Sequence, residues 1–458
     1  MDPNQGGTTS VFGERLDYTK PQYRDVWAMV LFYLQIVVVI AVCIYFWVDS
    51  DGFSVDGGFD ISSSEVTAVY VTLIVCLFIG VIFGFIWLQI LKKFASVIIK
   101  FMLFANVAMW GVVIIIGVST GETGLMIIGA LFFVLSGLYM WCVWSRIPFS
   151  SVLLKISSTI ISKYPGTVCV ALFLVIINIV WFLIWGSSVA AYVFYQTNQD
   201  SDTIPGGILF LFFVSLFWGE EVWRNSTHTT ACGVAATWYF SDPRDVGNPT
   251  GPAFKRTMTT SFGSVCFGSL IVAILEAIRA MINNARQQNN GNACLLCVVE
   301  CCVACIENLV RYFNSYAYAQ CAIYGTNFIE SSKNTWQLFE KSGIKAIIND
   351  DLTGMALFLG ALVGLIVSGI VGYLVCWSIY DNGDDGFCYG VGSIGGFLGL
   401  FLCFQVIYVT RSAIICLFVC WAEDPAALKQ THASEYAELT GVRPDLGETS
   451  PLVDNNFV

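Results

Sequence analysis

Apolar residues run through this chain in uninterrupted stretches of about 20 or more, and that pattern leaves few ways to fold. About 20 helical residues, each rising 1.5 Å, cross the ~30 Å of bilayer hydrocarbon. Ten candidate spans are read at 26–48, 66–91, 97–118, 124–144, 167–195, 206–240, 257–282, 294–326, 353–379 and 391–421. The run Gln35-Ile-Val-Val-Val-Ile-Ala-Val is apolar on every side instead of alternating. A helix satisfies its own backbone in lipid and accommodates such a run; a barrel strand needs alternation. Several candidates exceed a straight crossing, so tilt or extension beyond the lipid is expected. The expected fold is all-α: a polytopic membrane helical bundle of about ten transmembrane helices. Residues 1–25 are polar and the run from Val26 is long enough to span, so no cleavable signal peptide is expected. The expected organisation is a cytoplasmic tail at 1–25, a transmembrane transporter domain at 26–421 and a second cytoplasmic tail at 422–458.

Loop charge orients such a bundle. With the N-terminus inside, the connections at 92–96, 145–166, 241–256 and 327–352 hold eleven Lys and Arg, whereas the opposite connections hold only Arg286. Both termini are therefore expected to be cytoplasmic. The outer connections are acidic, with Asp49, Asp51, Asp56, Asp60, Glu65, Asp200, Asp202, Asp381, Asp384 and Asp385. They form either a solvated rim or a field that enriches cations at the outer mouth. Segment 147–163 is half polar, too weak to span, and is expected to lie as a helix along the inner interface. The acidic tail from 422 is expected to be flexible.

Only 12% of residues are charged and the net charge is −11, so the chain offers no basic surface for a nucleic acid. With two histidines, His228 and His432, a multi-histidine metal site is excluded and a Ser/His/Asp triad has almost no candidates. No cofactor and no enzymatic activity are expected. Gly390-Val-Gly-Ser-Ile-Gly matches a dinucleotide fingerprint but lacks the preceding strand; its glycines are read as allowing close helix contact. Gly360, Gly364, Ser368 and Gly372 recur every four residues as a packing stripe. Cys294, Cys297, Cys301, Cys302 and Cys305 lie in an apolar stretch with no second CxxC pair, which favours packing or palmitoylation over zinc. The sequon at Asn225 lies mid-span and is expected to go unused.

The charged residues inside the spans carry the chemistry, because each costs at least ~2.5 kcal/mol near the bilayer centre unless it pairs, snorkels or meets water. Lys100 and Arg411 sit near span ends and can snorkel. Glu220, Glu221, Glu276, Glu300 and Glu307 face Arg224, Arg279 and Arg311 across the sixth to eighth spans, an apparent excess of two negative charges. Glu221, Arg224, Asn225 and His228 share one helical face of the sixth span, with Trp223 beside them. Glu300, Glu307, Arg311 and Asn314 lie along nearly one face of the eighth, with Tyr312, Phe313, Tyr316 and Tyr318 around them. Two readings follow. A Glu–Arg lock holds the bundle together, or a negative, aromatic-lined cavity receives a cation, a proton or water. A quaternary ammonium donates no N–H bond and is recognised by ring faces and diffuse negative charge.

Three stretches now carry a resemblance: Glu221-Val-Trp-Arg-Asn-Ser-Thr-His-Thr-Thr-Ala-Cys-Gly-Val-Ala-Ala-Thr-Trp-Tyr-Phe240; Phe267–Ile274 with Glu307–Tyr318 and Ala322–Phe328; and Cys420-Trp-Ala-Glu-Asp-Pro425. In these the chain resembles the choline transporter-like family, in its shorter fungal, protist and plant branch. The first outer connection, about 17 residues without cysteine, departs from the large cysteine-containing loop of animal members. The resemblance implies ten helices and transport of choline or a related organic cation, with proton exchange. It also implies alternating access in a multi-pass membrane protein of the plasma membrane or an endomembrane. Glu221 and Asn225 are expected as the polar wall of the substrate site, Trp223 and Tyr312 as its aromatic faces and His228 as a proton-sensitive group, with Glu276 and Glu307 as further members. Arg224 is expected to hold a carboxylate in place. The competing reading is a non-transporting membrane scaffold or lipid-organising protein whose charge clusters are structural.

Overall fold

The computed structural model describes residues 22–49, 63–198, 205–242, 247–288, 293–380 and 385–442. Thirteen α-helices fill them: α1 (Val26–Asp49), α2 (Ser63–Thr120), α3 (Thr123–Val143), α4 (Ile147–Lys163), α5 (Gly166–Asn198), α6 (Gly206–Phe240), α7 (Thr250–Met258), α8 (Phe262–Gln288), α9 (Ala293–Tyr324), α10 (Phe328–Ile379), α11 (Asp385–Glu423), α12 (Pro425–Thr431) and α13 (Ala433–Val442). No strand occurs among the described residues, and eight helical stretches there are long and apolar enough to cross a membrane. The surface of α3 shows why lipid is the solvent. Only Gly129 and Val143 of its 21 residues are buried, and Trp141 is 78% exposed.

Two corrections concern the spans. Those expected at 66–91 and 97–118 are one helix, α2, of 58 residues, with no loop at 92–96. Lys92 and Lys93 interrupt the hydropathy but are good helix formers, and no Gly or Pro breaks the backbone there. A straight helix of that length would reach about 87 Å, far beyond a single crossing. The span expected at 294–326 is the helix α9, but it falls outside the eight apolar stretches. The connection expected at 327–352 is likewise helical and continues into the apolar part of α10. Of the acidic rim, Asp385 opens α11; the side chains of the other nine residues lie outside the described set.

The chain divides into two compact units. The first holds α1, α5, α7, α8, α9, nearly all of α6 and the start of α10. Its core joins Ala28 and Phe32 of α1 to Trp218 and Val222 of α6 and to Phe262, Cys266 and Ala273 of α8. The ends of these helices are tied by one residue. Asp25 has a positive φ of 47°, uncommon away from glycine. Its Oδ2 accepts from Ser264 Oγ at 2.7 Å and from Phe328 N at 2.8 Å. It thereby satisfies an orphan donor at the start of α10 while fixing α8 beside α1. The α9–α10 corner is set by Gly325, at φ 64°, and by Asn327, whose Oδ1 accepts from Glu330 N at 2.9 Å as an N-cap. Asp25→Ala strands two donors at once. It is expected to destabilise this unit by about 2–3 kcal/mol, with Asp25→Asn milder. Thermal unfolding of the purified protein checks this, and equal melting of both variants with wild type would refute it.

The second unit holds α2, α3, α4, most of α10 and α11–α13. The expected amphipathic helix is α4, with the bounds read from the sequence; Tyr164-Pro-Gly ends it. Leu153, Leu154, Ile156, Ile160 and Ile161 are buried, together with Ser157 and Ser158. Its neighbours in the unit, α2, α11 and α13, take up both polar and apolar sides of the helix. The tail expected to be flexible carries α12 and α13 over its described part. Asp424 caps α12 by accepting from Ala427 N at 3.0 Å, and Lys155 of α4 pairs with Glu438 of α13 at 2.6 Å. Tyr239 donates to the Asp424 carbonyl at 2.9 Å, and Thr431 donates to the Tyr239 carbonyl at 2.8 Å. Two of the stretches that carried the resemblance therefore meet here. Lys100 lies over the Trp144 ring at 5.7 Å, a cation–π partner for one snorkelling candidate.

Candidate functional site

The candidate site lies within the first unit, on α6, α8 and α9. The middle of α6 is polar yet compatible with a buried helix, because its hydroxyls bond backward to carbonyls one turn earlier. Ser226, Thr229 and Thr230 donate to the carbonyls of Val222, Asn225 and Ser226 at 2.7–2.8 Å. These hydroxyls are spent on the backbone. What remains for chemistry on this helix is Glu221, Arg224, Asn225 and His228.

Arg311 of α9 is the centre of the arrangement. Its guanidinium donates to Glu221 of α6 and Glu276 of α8, and to Glu307 one turn back on α9 at 3.0 Å. Arg224 donates to the same Glu221 oxygen, Oε1, from one turn away on α6. Arg279 of α8 pairs with Glu307 at 3.2 Å. The Glu221 and Glu307 side chains are 1% and 3% exposed, that of Glu276 13%, and that of Arg311 27%. The planar guanidinium presents five N–H donors in a fixed fork, enough to serve three carboxylates at once. Three carboxylates and three guanidinium groups make the cluster neutral.

Over the whole set of expected acids the excess of two negative charges falls to one. Arg286 was placed in an outer connection at 283–293, but α8 runs on to Gln288. Arg286 then reaches Glu300 of α9 at 3.2 Å. Glu220, the remaining acid, is on the exposed side of α6. Expected members of the site separate into three groups. Glu221, Asn225, Glu276 and Glu307 come together around Arg311. Asn225 donates to Glu221 Oε2 at 2.9 Å and also lies 3.0 Å from Ser269 Oγ and 3.4 Å from the Tyr318 hydroxyl. It is 8% exposed, so its sequon is inaccessible. His228, one turn further, donates from Nε2 to the Ser315 carbonyl of α9 at 2.8 Å and sets its ring beside Tyr318. A carbonyl only accepts, so that nitrogen carries the proton.

The aromatic pair is the third group. Trp223 packs into the hydrophobic core, edge-on to Phe32 at 5.7 Å and tilted to Phe262 at 6.4 Å. Tyr312 donates its hydroxyl to Tyr316 at 3.2 Å. Arg224 does hold a carboxylate, as expected. Sequence reasoning named Tyr318 among the rings around Glu307 and Arg311 but did not single out Ser269 or Asp25. Ser269 carries no charge to mark it, and Asp25 was read as tail although an Asp directly before an apolar run is an N-terminal signal. Cys297, Cys301, Cys302 and Cys305 are exposed thiols on α9.

A family profile described as plasma-membrane choline transporter matches residues 127–426. A CTL-like protein of Dictyostelium discoideum is 31% identical over 438 residues, covering 92% of this chain and 75% of its own length. Protein PNS1 of Mycosarcoma maydis is 31% identical over 447 residues, 91% of this chain and 82% of the relative. Protein PNS1 of Gibberella zeae is 28% identical over 464 residues, 94% and 85% respectively.

Proposed function

The chain belongs to the choline transporter-like family, and on that premise we propose that it carries choline or a related organic cation across a membrane by alternating access. The observation that carries this reading is Arg311, a tethered cation held by three carboxylates from three helices. A substrate cation competes for the same charges. When it engages Glu221, Glu276 or Glu307, Arg311 swings away and the three helices lose their common tie, which is the kind of two-state element alternating access needs. Asn225 supplies the polar wall, Trp223 and Tyr312 the ring faces for a quaternary headgroup.

Charge conservation adds proton exchange. A neutral cluster that gains a cation in low dielectric becomes positive unless a proton leaves. His228, buried and joined to the α9 backbone, is the residue proposed to carry the exchanged proton. The plasma membrane is the proposed compartment, an endomembrane the alternative. A second reading has a specific observation behind it: every buried acid of the cluster is already paired with arginine, as in a static lock of a membrane scaffold.

Choline uptake into liposomes holding the purified protein separates the two. A carrier shows saturable uptake and gains thermal stability with choline; a scaffold does neither. Glu221→Gln is expected to cut uptake at least about tenfold, the scale of one lost charge-assisted contact, while the protein still folds. Unchanged kinetics in that variant would remove Glu221 from the site, and absence of saturable uptake in oriented vesicles would remove the carrier reading.

A further inference from the structure

The second unit contains a cavity of about 480 Å³, within the ~300–1,000 Å³ typical of small-molecule sites. Its polar lining is Asp351 of α10, Tyr139 and Ser136 of α3, and Asn106 of α2. The rest of the lining is apolar: Leu103, Ile347, Ile348 and Met355. Tyr139 donates its hydroxyl to Asp351. Unlike the buried acids of α6, α8 and α9, Asp351 is paired with no lysine or arginine among the described residues. Asp351 is exposed, so its carboxylate, with a single neutral donor on it, is open to a cation that enters the cavity.

We propose that this cavity, lined by Asp351, Tyr139, Ser136 and Asn106 together with four apolar side chains, binds a single-chain amphiphile with a primary ammonium headgroup. Two features set the headgroup class. The Tyr139 oxygen, having donated its proton, is free to accept; with Ser136 Oγ, Asn106 Oδ1 and the Asp351 carboxylate it gives the lining a set of acceptors suited to N–H donors. Tyr139 is the only ring in the lining, so the several faces that hold a quaternary ammonium are missing. The tail class follows from the four aliphatic side chains, which bury methylenes at about 0.8 kcal/mol each. The site is separate from the Arg311 network and does not rest on the carrier reading.

The test uses the full chain in phosphatidylcholine nanodiscs and radiolabelled dodecylamine, with empty discs as reference. One saturable site above disc partitioning is expected. Dodecyltrimethylammonium should compete at least about tenfold more weakly, since it forfeits the N–H bonds to a charged partner. Asp351→Asn should weaken dodecylamine binding by a similar factor and Tyr139→Phe by less; the phenylalanine variant keeps the test valid should the first fold poorly. No saturable excess, or unchanged binding in both variants, overturns the site. Equal competition by the quaternary compound overturns the headgroup class. Asp351→Asn is expected to keep choline uptake, and loss of uptake with dodecylamine binding intact would overturn the separateness of the two sites.

Discussion

Arg311→Ala is expected to abolish cation uptake and to destabilise the first unit by about 3 kcal/mol, the lower end for breaking a buried ion pair. The lower end applies because the Arg311 side chain keeps 27% of its exposure. The cost comes from the carboxylates left behind. Glu221 retains Arg224 and Glu307 retains Arg279, but Glu276 loses its one ion pair among the described residues and keeps only the more distant field of Arg224. Adding Glu276→Gln to Arg311→Ala should therefore recover part of the stability, a coupling a double-mutant cycle measures directly. It should not recover transport, because the element proposed to trade places with substrate is gone. Arg311→Lys keeps the charge and loses the fork; it should retain most of the stability and little of the uptake. Melting curves in detergent, paired with liposome uptake, check each step. Wild-type uptake by Arg311→Ala at full stability would refute the role of the network altogether.

Gly399→Val is expected to prevent the second unit from assembling, seen as loss of the monodisperse species on size exclusion. A Cβ at this position would lie 2.2 Å from Ser368 Cβ of α10, and one built on Gly80 of α2 would lie 2.9 Å from Gly399 Cα. Three helices approach at this one point, and Ser368 donates to the Gly395 carbonyl at 2.9 Å across the same seam. Overpacking a tight core usually costs about 1–3 kcal/mol; here the clash involves short side chains and backbone that cannot swing aside, so more is expected. Gly390→Ala is the control. It belongs to the same glycine-rich run, yet nothing lies within 4 Å of its added Cβ, so melting should match wild type. Equal tolerance at both positions would mean that the run does not set the helix spacing. The contrast also disposes of the dinucleotide reading, since these glycines serve helix contact within α2, α10 and α11.

Much of this was legible beforehand. The stripe Gly360, Gly364, Ser368, Gly372 does face its neighbours: Trp87 meets the first, Cys403 the second, and Gly392 the last. Helix α4 begins and ends where the loss of apolar continuity placed it. The polar centre of α6 was marked by its own charges. In each case the signal is local, carried by spacing along one helix.

The sequence by itself determined a lipid-embedded, all-helical chain, because no other fold satisfies so many consecutive apolar residues, and it named the acids that had to find partners. Which partner each acid found was decided only in three dimensions. Asp25 reaches residues 239 and 303 positions away, and Arg311 reaches Glu221 across 90. Pairing across helices depends on their rotation and depth relative to one another, and those are set by packing and not by spacing along a single chain segment. Helix α8 runs on to Gln288, so Arg286 meets Glu300, and the apparent surplus of two negative charges falls to one, Glu220 on the exposed side of α6.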